Sequence, residues 1–178
     1  MDARGRLPTS LPGLTLSELG ASDADRYYAL LDVNRDHLGG FGDYQPEVHA
    51  TRTWVTAYFA APPDENVRFG MFLDGKLIGR VDLDPVDPPR YSIGYWLSAD
   101  QTGRGYATVA CRAALDYCRD VLAGSHVFAG VTHGNAKSAA VLVRLGFTKV
   151  AEFETYDRYH LALQAPAPAY TKKAGPAW

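Results

Sequence analysis

Apolar and polar residues follow two spacings along this chain, and each spacing predicts a different kind of element. Apolar residues that alternate with polar ones, or stand together in short runs, indicate strands. These runs predict about seven strands, at residues 14–19, 67–73, 77–83, 91–97, 127–131, 149–153 and 159–163. Apolar residues that recur at helical spacing indicate helices with one buried face. They predict about four helices, at residues 22–34, 45–60, 106–122 and 138–145.

Turn residues between these elements indicate how the strands pair. Asp74-Gly75 separates two strands and is a strong signal for a hairpin. The next strand follows the proline-rich turn at residues 85–89 and extends the hairpin into an antiparallel meander. Residues 91–131 instead run strand, helix, strand, which predicts a parallel pair with a right-handed crossover. We therefore expect an α/β fold with a mixed, mostly antiparallel twisted sheet.

The length and composition of the chain fit one domain. The chain has 178 residues, of which 47% are hydrophobic, and this is enough to bury a substantial core. We assign residues 1–164 to one domain and residues 165–178, rich in alanine and proline, to a flexible tail. No apolar run is long enough to span a bilayer, and residues 1–10 lack the hydrophobic core of a signal peptide. A cytoplasmic location is the resulting prediction.

Charge and cysteine spacing limit the partners of the chain. A formal net charge of -2 and a pI near 6.2 give no electrostatic reason to expect nucleic acid or an anionic membrane. Small molecules or protein termini fit this charge better. Cys111 and Cys118 lie on one predicted helix, too far apart along its axis for a disulfide. We expect both to be reduced core residues, because neither has a paired base that would make it a nucleophile.

A glycine-rich loop stands between the strand at residues 91–97 and the helix that begins near residue 106. Its sequence is Thr102-Gly103-Arg104-Gly105-Tyr106-Ala107-Thr108. Free backbone amides at a helix start, next to glycines that allow close approach, form a favourable site for a phosphate group. Glycine-rich turns also occur as simple connections, so the loop by itself leaves both interpretations open.

Three further motifs accompany this loop. They are Ile93-Gly94-Tyr95-Trp96-Leu97, Asn135-Ala136-Lys137-Ser138 and Leu145-Gly146-Phe147. Together with the loop they resemble the GCN5-related N-acetyltransferases (GNAT), and within them the RimJ/RimL branch, over residues 14–163. The resemblance implies that acetyl-CoA is the co-substrate, with no metal, and that a primary amine attacks its thioester directly. The acceptor would be a small-molecule metabolite, an amine antibiotic or a protein N-terminus.

The resemblance also implies which residues hold acetyl-CoA. The cofactor would lie between two parallel strands that splay apart, at residues 91–97 and 127–131, and its pantetheine arm would pair with the free strand groups. The pyrophosphate would bind the backbone amides of Gly103, Arg104, Gly105, Tyr106, Ala107 and Thr108. Trp96 and Leu97 stand at the strand end, where an amide near Leu97 would polarise the thioester carbonyl.

Asn135 and Ser138 each have two interpretations. Asn135 matches the family position that hydrogen-bonds the pantetheine arm, but it would also serve as the N-cap of the following helix. Ser138 matches a serine that this branch carries near the sulfur, where it would donate a hydrogen bond to the leaving thiolate. Capping of the same helix start is the alternative for Ser138.

Two departures from the pattern of the family concern groups that would move protons. Ser92 stands where many RimJ/RimL-like sequences carry a glutamate, so that general base is missing. Leu142 stands where other branches carry a tyrosine that reprotonates the leaving thiolate. An α-amine, with a pKa near 8, needs less help to lose its proton than a lysine amine, with a pKa near 10.4. We therefore expect an acceptor amine of low pKa, whose proton leaves through water held by Ser92 or by a nearby carboxylate.

Two groups of residues are candidates for the acceptor side. Asp82 and Asp84 share one strand face, where they would attract a cationic amine or relay its proton; a solvated strand face is the alternative. Phe41, Asp43 and Tyr44 lie in a glycine-rich loop that in this family commonly walls the acceptor pocket, or they are packing anchors.

An interpretation of another class also stays open, in which the chain binds acyl-CoA as a regulatory module without catalysis. A different acyl donor and the oligomeric state, with a homodimer as one option, are left undecided.

Overall fold

The hairpin predicted at Asp74-Gly75 lies in the interior of the sheet. The structure is a computed structural model that describes residues 6–42, 44–61 and 65–164. Strands Val67–Leu73 and Lys76–Asp87 pair in antiparallel fashion, and the two turn residues have positive φ angles of 49° and 83°. Aspartate and glycine tolerate this left-handed conformation better than most residues do. The local sequence therefore determines where this hairpin turns.

Eight strands form one open sheet within the described residues. They are β1 Arg6–Pro8, β2 Leu14–Glu18, β3 Val67–Leu73, β4 Lys76–Asp87, β5 Arg90–Leu97, β6 His126–Thr132, β7 Thr148–Glu152 and β8 Tyr156–Ala162. Their spatial order is β1-β2-β3-β4-β5-β6-β8-β7. Only β5 and β6 are parallel, and every other neighbouring pair is antiparallel. The predicted fold class is confirmed, with β1 as an additional strand at one edge.

Six α-helices occur in the same part of the chain. They are α1 Ala24–Asp32, α2 Arg35–Gly39, α3 Gln45–Val48, α4 Arg52–Ala60, α5 Tyr106–Asp120 and α6 Ala136–Leu145. The helix predicted over residues 45–60 is divided into α3 and α4. The division occurs because Thr51 Oγ1 accepts a hydrogen bond from the Trp54 amide (3.1 Å) and begins a new helix. None of these helices is both long and apolar enough to cross a membrane.

Hydrophobic clusters cover both faces of the sheet. The larger cluster contains side chains of α5 and α6, and the smaller one contains side chains of α1 and α4. Trp96 belongs to the smaller cluster and Leu97 to the larger, because successive strand side chains point to opposite faces. Cys111 and Cys118 are buried and free in the larger cluster, as predicted. Burial raises the pKa of the Cys118 thiol to about 11.

Candidate active site

Strands β5 and β6 begin as a pair and then separate. Their pairing runs only from Arg90 opposite His126 to Ser92 opposite Phe128, whereas β6 stays paired with β8 as far as Thr132. Beyond the last β5–β6 pair lies a cleft with a volume of about 200 Å³. It is lined by Tyr44, Ile93, Gly94, Tyr95, Ala129, Gly130, Val131, Asn135, Ser138 and Leu142. The splayed parallel pair expected from the sequence is therefore present.

Backbone groups of β5 are directed into this cleft. The Ser98 amide donates to the Ile78 carbonyl across the junction with β4 (2.8 Å). Bonded residues alternate along an antiparallel ladder. Tyr95 and Leu97 are therefore residues whose backbone groups point away from β4 and toward the cleft. A ligand that carries amides of its own and lies along β5 would satisfy these groups.

The segment between α2 and α3 reaches the cleft from the other side. The Tyr44 hydroxyl donates to the Tyr95 carbonyl oxygen (2.6 Å), and the Tyr44 backbone is left-handed with a φ of 54°. Phe41 lines a second cavity, which shares Gly130 with the first. Asp43 lies outside the described residues. Of the three residues predicted to wall the acceptor pocket, Phe41 and Tyr44 thus border the cleft or its extension.

The glycine-rich loop leads directly into the first turn of α5. Gly103 and Gly105 have φ angles of 77° and 82°, and Gly105 precedes the helix without a side chain to cap it. The first amides of a helix have no partner within the helix, so those of residues 106–108 are available to an anion. Arg104 is exposed between the two glycines. This arrangement can bind a phosphate group.

A set of hydrogen bonds joins α6 to β5 beside the cleft. Asn135 Oδ1 accepts from the Ser138 amide (3.1 Å), so Asn135 caps α6 and lines the cleft at the same time. Ser138 Oγ lies 2.8 Å from Tyr95 Oη, and Tyr95 Oη also donates to the Ser138 carbonyl (2.9 Å). Burial raises the pKa of Tyr95. Its hydroxyl therefore stays protonated at neutral pH.

A buried ion cluster lies on the sheet face that α1 and α4 cover. Arg80 Nε donates to Asp82 Oδ2 (2.8 Å), Arg80 Nη2 donates to Glu47 Oε1 (2.9 Å), and Arg80 Nη1 donates to the Tyr27 hydroxyl. The three charged residues are 6–8% exposed. Asp82 Oδ1 is buried and has no hydrogen-bond partner among the described residues.

Asp82 lies behind Gly94, a residue of the cleft lining, and is not itself among the lining residues. The two residues are cross-strand partners on β4 and β5, and a Cβ atom added at Gly94 would lie 4.0 Å from Asp82 Oδ2. Burial raises the pKa of Asp82 to about 6, although the charge of Arg80 opposes the shift. The carboxylate is therefore mostly ionised at neutral pH and is able to accept a proton.

Other predicted site residues lie at or beyond the ends of the cleft. Ser92 and Asp84 are cross-strand partners where the cleft closes, and neither is among the residues that line it. Trp96 is turned away from the cleft, and its indole packs edge-on against Tyr27 at a centroid distance of 6.1 Å. The buried Leu97 side chain also packs in the core. Of these four residues, Leu97 remains a candidate ligand, and only through its amide.

Another polar cluster lies near the β7–β8 hairpin. His133, Glu152 and Asp157 offer ligand atoms within 4.8 Å of one another, close enough to share a metal ion. Lys149 Nζ already pairs with both carboxylates, at 2.8 Å from Glu152 and 2.7 Å from Asp157. The four side chains form an ion-pair cluster that the sequence analysis did not identify, since its members come from separate elements.

Sequence reasoning missed three residues that the structure brings to the site. The sequence could have indicated Arg80, because strand alternation places it on the same face as Asp82 in a largely apolar strand. Tyr95 belongs to the motif at residues 93–97, but the spacing of residues along the chain does not predict its contact with Ser138. No sequence pattern indicated that Glu47 belongs to the site, since its contact with Arg80 depends on the packing of α3 against the sheet.

Comparisons with known proteins agree with this geometry. Residues 13–148 match the family model described as an acetyltransferase (GNAT) domain. The chain is 29% identical over 141 residues to YdaF of Bacillus subtilis (strain 168), provisionally named a ribosomal N-acetyltransferase, with 75% of this chain and 77% of that protein covered.

Solved structures show the same fold. RimL, a ribosomal L7/L12 α-N-protein acetyltransferase in complex with coenzyme A, superimposes with a TM-score of 0.80 and 18% identity, over 90% of this chain and 99% of that chain. A spermidine N-acetyltransferase from Vibrio cholerae, in complex with CoA and spermine, has a TM-score of 0.72 and 20% identity, over 85% and 96%.

Proposed function

Because the chain belongs to the GNAT acetyltransferase family, we propose that it transfers the acetyl group of acetyl-CoA to a primary amine of low pKa by direct attack. The acceptor class is the α-amine of a small molecule or of a peptide N-terminus. One observation carries the proposal: backbone groups of β5 point into the cleft between β5 and β6, and a buried carboxylate, Asp82, lies behind Gly94.

Several elements support donor binding in this cleft. The Tyr95 amide and the Leu97 carbonyl would pair with the amide groups of the pantetheine arm, and the Leu97 amide would polarise the thioester carbonyl. The loop at residues 103–108 would hold the pyrophosphate at the start of α5. Asn135 would contact the arm while it caps α6, and Ser138 would lie near the sulfur.

The pKa of Asp82 supports an α-amine as the acceptor. Asp82, with a pKa of about 6, would take a proton from an α-ammonium group near 8 at a cost of about 3 kcal/mol. The same transfer from a lysine ammonium near 10.4 would cost about 6 kcal/mol. The proton would pass through water next to Gly94, or through water near Ser92 and Asp84 at the closed end of the cleft.

A panel of amines tests the proposed acceptor. Free-thiol release from acetyl-CoA is measured at pH 7 with a peptide that has a free α-amine and no lysine, and with the same peptide blocked at its N-terminus and carrying one lysine. Spermidine and a small amino acid amide extend the panel, since the solved relatives include protein and polyamine acetyltransferases. We expect kcat/KM to be at least about tenfold higher for the α-amine peptide, because more of that amine is neutral at pH 7.

Other outcomes of this panel correspond to other functions. Faster turnover of the lysine peptide would contradict the low-pKa acceptor. Tight binding of acetyl-CoA without turnover of any amine would favour a non-catalytic acyl-CoA-binding module. Propionyl-CoA and longer donors, assayed with the best acceptor, determine whether the enzyme is selective for the acetyl group.

The loop before α5 yields a prediction for donor binding. Replacing Gly105 with valine adds a branched side chain at the helix start. The valine would have to adopt the left-handed backbone conformation of Gly105, with a φ of 82°. We expect the KM for acetyl-CoA to rise roughly tenfold, with a smaller change in kcat, because the amides then bind the pyrophosphate less closely. Steady-state kinetics with acetyl-CoA varied at saturating acceptor measure this effect.

Gly75 provides a matched control for backbone strain. It has a φ of 83° in the β3–β4 turn, and, as at Gly105, a Cβ atom added there would meet no other atom within 4 Å. The Gly75→Val variant therefore carries a comparable strain at a position remote from the loop. An equal rise in KM in both variants would show that strain alone, and not the loop, is responsible.

A further inference from the structure

We propose that Tyr95 is a positioning residue for thiolate departure: its hydroxyl directs the Ser138 hydroxyl toward the sulfur of the leaving group. The inference rests on the proposed function, because it assumes that the thioester lies in the cleft between β5 and β6. It assigns a role to a side chain on β5, whereas the sequence motifs pointed only to the start of α6.

The geometry allows the two hydroxyls to exchange donor and acceptor roles. Tyr95 Oη lies 2.9 Å from the Ser138 carbonyl oxygen and 2.8 Å from Ser138 Oγ, and either hydroxyl can donate in the second contact. In one arrangement Tyr95 donates to the carbonyl, and Ser138 donates to Tyr95 Oη. In the other, Tyr95 donates to Ser138 Oγ, which leaves the serine proton free to point into the cleft. The change needs rotation of hydroxyl protons and no movement of the chain.

The side-chain oxygen atoms of Tyr44 and Asn135, two other polar residues of the cleft, already have hydrogen-bond partners. The Tyr44 hydroxyl donates to the Tyr95 carbonyl oxygen at 2.6 Å, and the Asn135 side-chain oxygen accepts from the Ser138 amide. Leu142 is apolar and buried in the same lining. Among the residues that line the cleft, Ser138 is thus the hydroxyl best placed to turn toward a sulfur atom, and Tyr95 is its partner.

The pair acts by hydrogen bonding and not by releasing a proton. An alkyl thiol has a pKa near 8.5 and a free tyrosine a pKa near 10, so transfer of the tyrosine proton to a thiolate is unfavourable even without burial. Burial raises the pKa of Tyr95 further. In the proposed reaction, the amine nitrogen bonds to the carbonyl carbon, the carbon–sulfur bond breaks, and the electron pair leaves with the sulfur. The thiolate, stabilised by Ser138, takes a proton from water, and the hydroxide formed takes the second proton of the acylated nitrogen, whose first proton left toward Asp82 before the attack.

Kinetics of Tyr95→Phe and Ser138→Ala test this inference. We expect kcat to fall about 10- to 100-fold in each variant, the usual range for loss of a hydrogen bond to a charged group, with a change of less than about threefold in the KM for acetyl-CoA. The double variant should be no slower than Ser138→Ala, because Tyr95 acts through Ser138. Tyr91→Phe is the control, since Tyr91 lies on the same strand and its hydroxyl approaches the Leu122 carbonyl at 3.4 Å, outside the cleft lining.

The thiol pKa of bound coenzyme A gives a readout that a purely structural role would not change. The ultraviolet absorption of the thiolate is followed as the pH is varied, and a complex with desulfo-coenzyme A, which has no thiol, is the reference. In the wild type, we expect the thiol pKa of bound coenzyme A to lie below that of free coenzyme A. In both single variants, the thiol pKa of bound coenzyme A should be about 1 unit higher than in the wild type. Thermal melts verify that each variant is folded.

The outcomes separate this inference from the proposed function. Unchanged kcat and unchanged thiol pKa in folded Tyr95→Phe would overturn the role of Tyr95. Should Tyr95→Phe fail to fold, an unchanged thiol pKa in Ser138→Ala would overturn it equally. A lowered thiol pKa in a wild-type protein that acetylates no amine would support the Tyr95–Ser138 pair and reject the proposed transfer reaction.

Discussion

Replacing Arg80 with methionine is expected to lower the free energy of unfolding by about 3–5 kcal/mol, the usual cost of removing one partner from a buried ion pair. Arg80 is 6% exposed, and its guanidinium donates to Asp82, Glu47 and the Tyr27 hydroxyl. Methionine fills part of the volume but leaves two buried carboxylates without a cation. Chemical denaturation measures the loss, and for a domain of this size the Tm should fall by roughly 10 °C.

The pH dependence of this loss distinguishes charge from packing. Burial raises the pKa of Asp82 to about 6 even with Arg80 present. Without the arginine, the neutral carboxyl is favoured still more, and a neutral group costs less to bury. The destabilisation by Arg80→Met should therefore be smaller at pH 5 than at pH 8. A loss that is equal at both values would indicate that packing, and not charge, is responsible.

Arg119→Met is the matched control for this variant. Arg119 also pairs with two carboxylates, those of Asp116 and Asp120, but it lies on the surface of α5 with 30% of its side chain exposed. Exposed ion pairs contribute little to stability. We expect its unfolding curve to stay close to that of the wild type, and a loss as large as that of Arg80→Met would contradict the importance of burial.

Replacing Asp82 with asparagine is expected to lower kcat/KM for an α-amine acceptor about 100-fold, a typical effect of removing a general base. The wild-type pH profile should have an acidic limb with a midpoint near 6, because burial raises the pKa of the Asp82 carboxyl to about 6. Only the ionised carboxylate accepts a proton, so activity falls as the pH decreases through that value. The asparagine variant should lack this limb, and a pH series of kcat/KM measures both effects.

Glu47→Gln is the matched control, because it removes the same charge from the same buried cluster. Glu47 also pairs with Arg80, but it lies on α3 and is not the cross-strand partner of Gly94. The acidic limb should persist in Glu47→Gln. Loss of the limb in both variants would show that the cluster acts through its total charge and that Asp82 is not the base.

Stability offers a second check on Asp82 that needs no acceptor. A carboxyl whose pKa is higher in the folded state binds its proton more tightly there than in the unfolded chain. Its contribution to stability is therefore present at low pH and declines as the pH rises between about 4 and about 6. This decline should be weaker in Asp82→Asn than in the wild type.

Much of the proposed donor side of the cleft was predictable from local sequence. Gly103 and Gly105 take positive φ angles before α5, and Asn135 caps α6 through the Ser138 amide three residues later. Such features depend on residues that are close together in the chain, and the physical preferences of glycine and asparagine are strong there. The division of the helix predicted over residues 45–60 was harder to predict, because it depends on one cap, at Thr51, within an otherwise helical pattern.

The proposed acceptor side depends on residues that are far apart in the sequence. Arg80 meets Glu47 at a separation of 33 residues, and Tyr44 meets Tyr95 at a separation of 51. Strand alternation predicted that Asp82 shares a face with Asp84, but it did not reveal what would cover that face. The raised pKa of Asp82 follows from the covering helices, since burial is its largest cause.

The sequence by itself determined the order of most of the elements, the parallel pair, the glycine-rich loop before α5 and the family, because each depends on local spacing or on short motifs. The tertiary structure alone decided that the indole of Trp96 faces away from the cleft, that Asp82 is buried beside Arg80, and that Tyr95 meets Ser138. A local pattern specifies which face a side chain occupies. Its partner and its burial depend on how distant elements pack against that face, and these two quantities set the chemistry of the site.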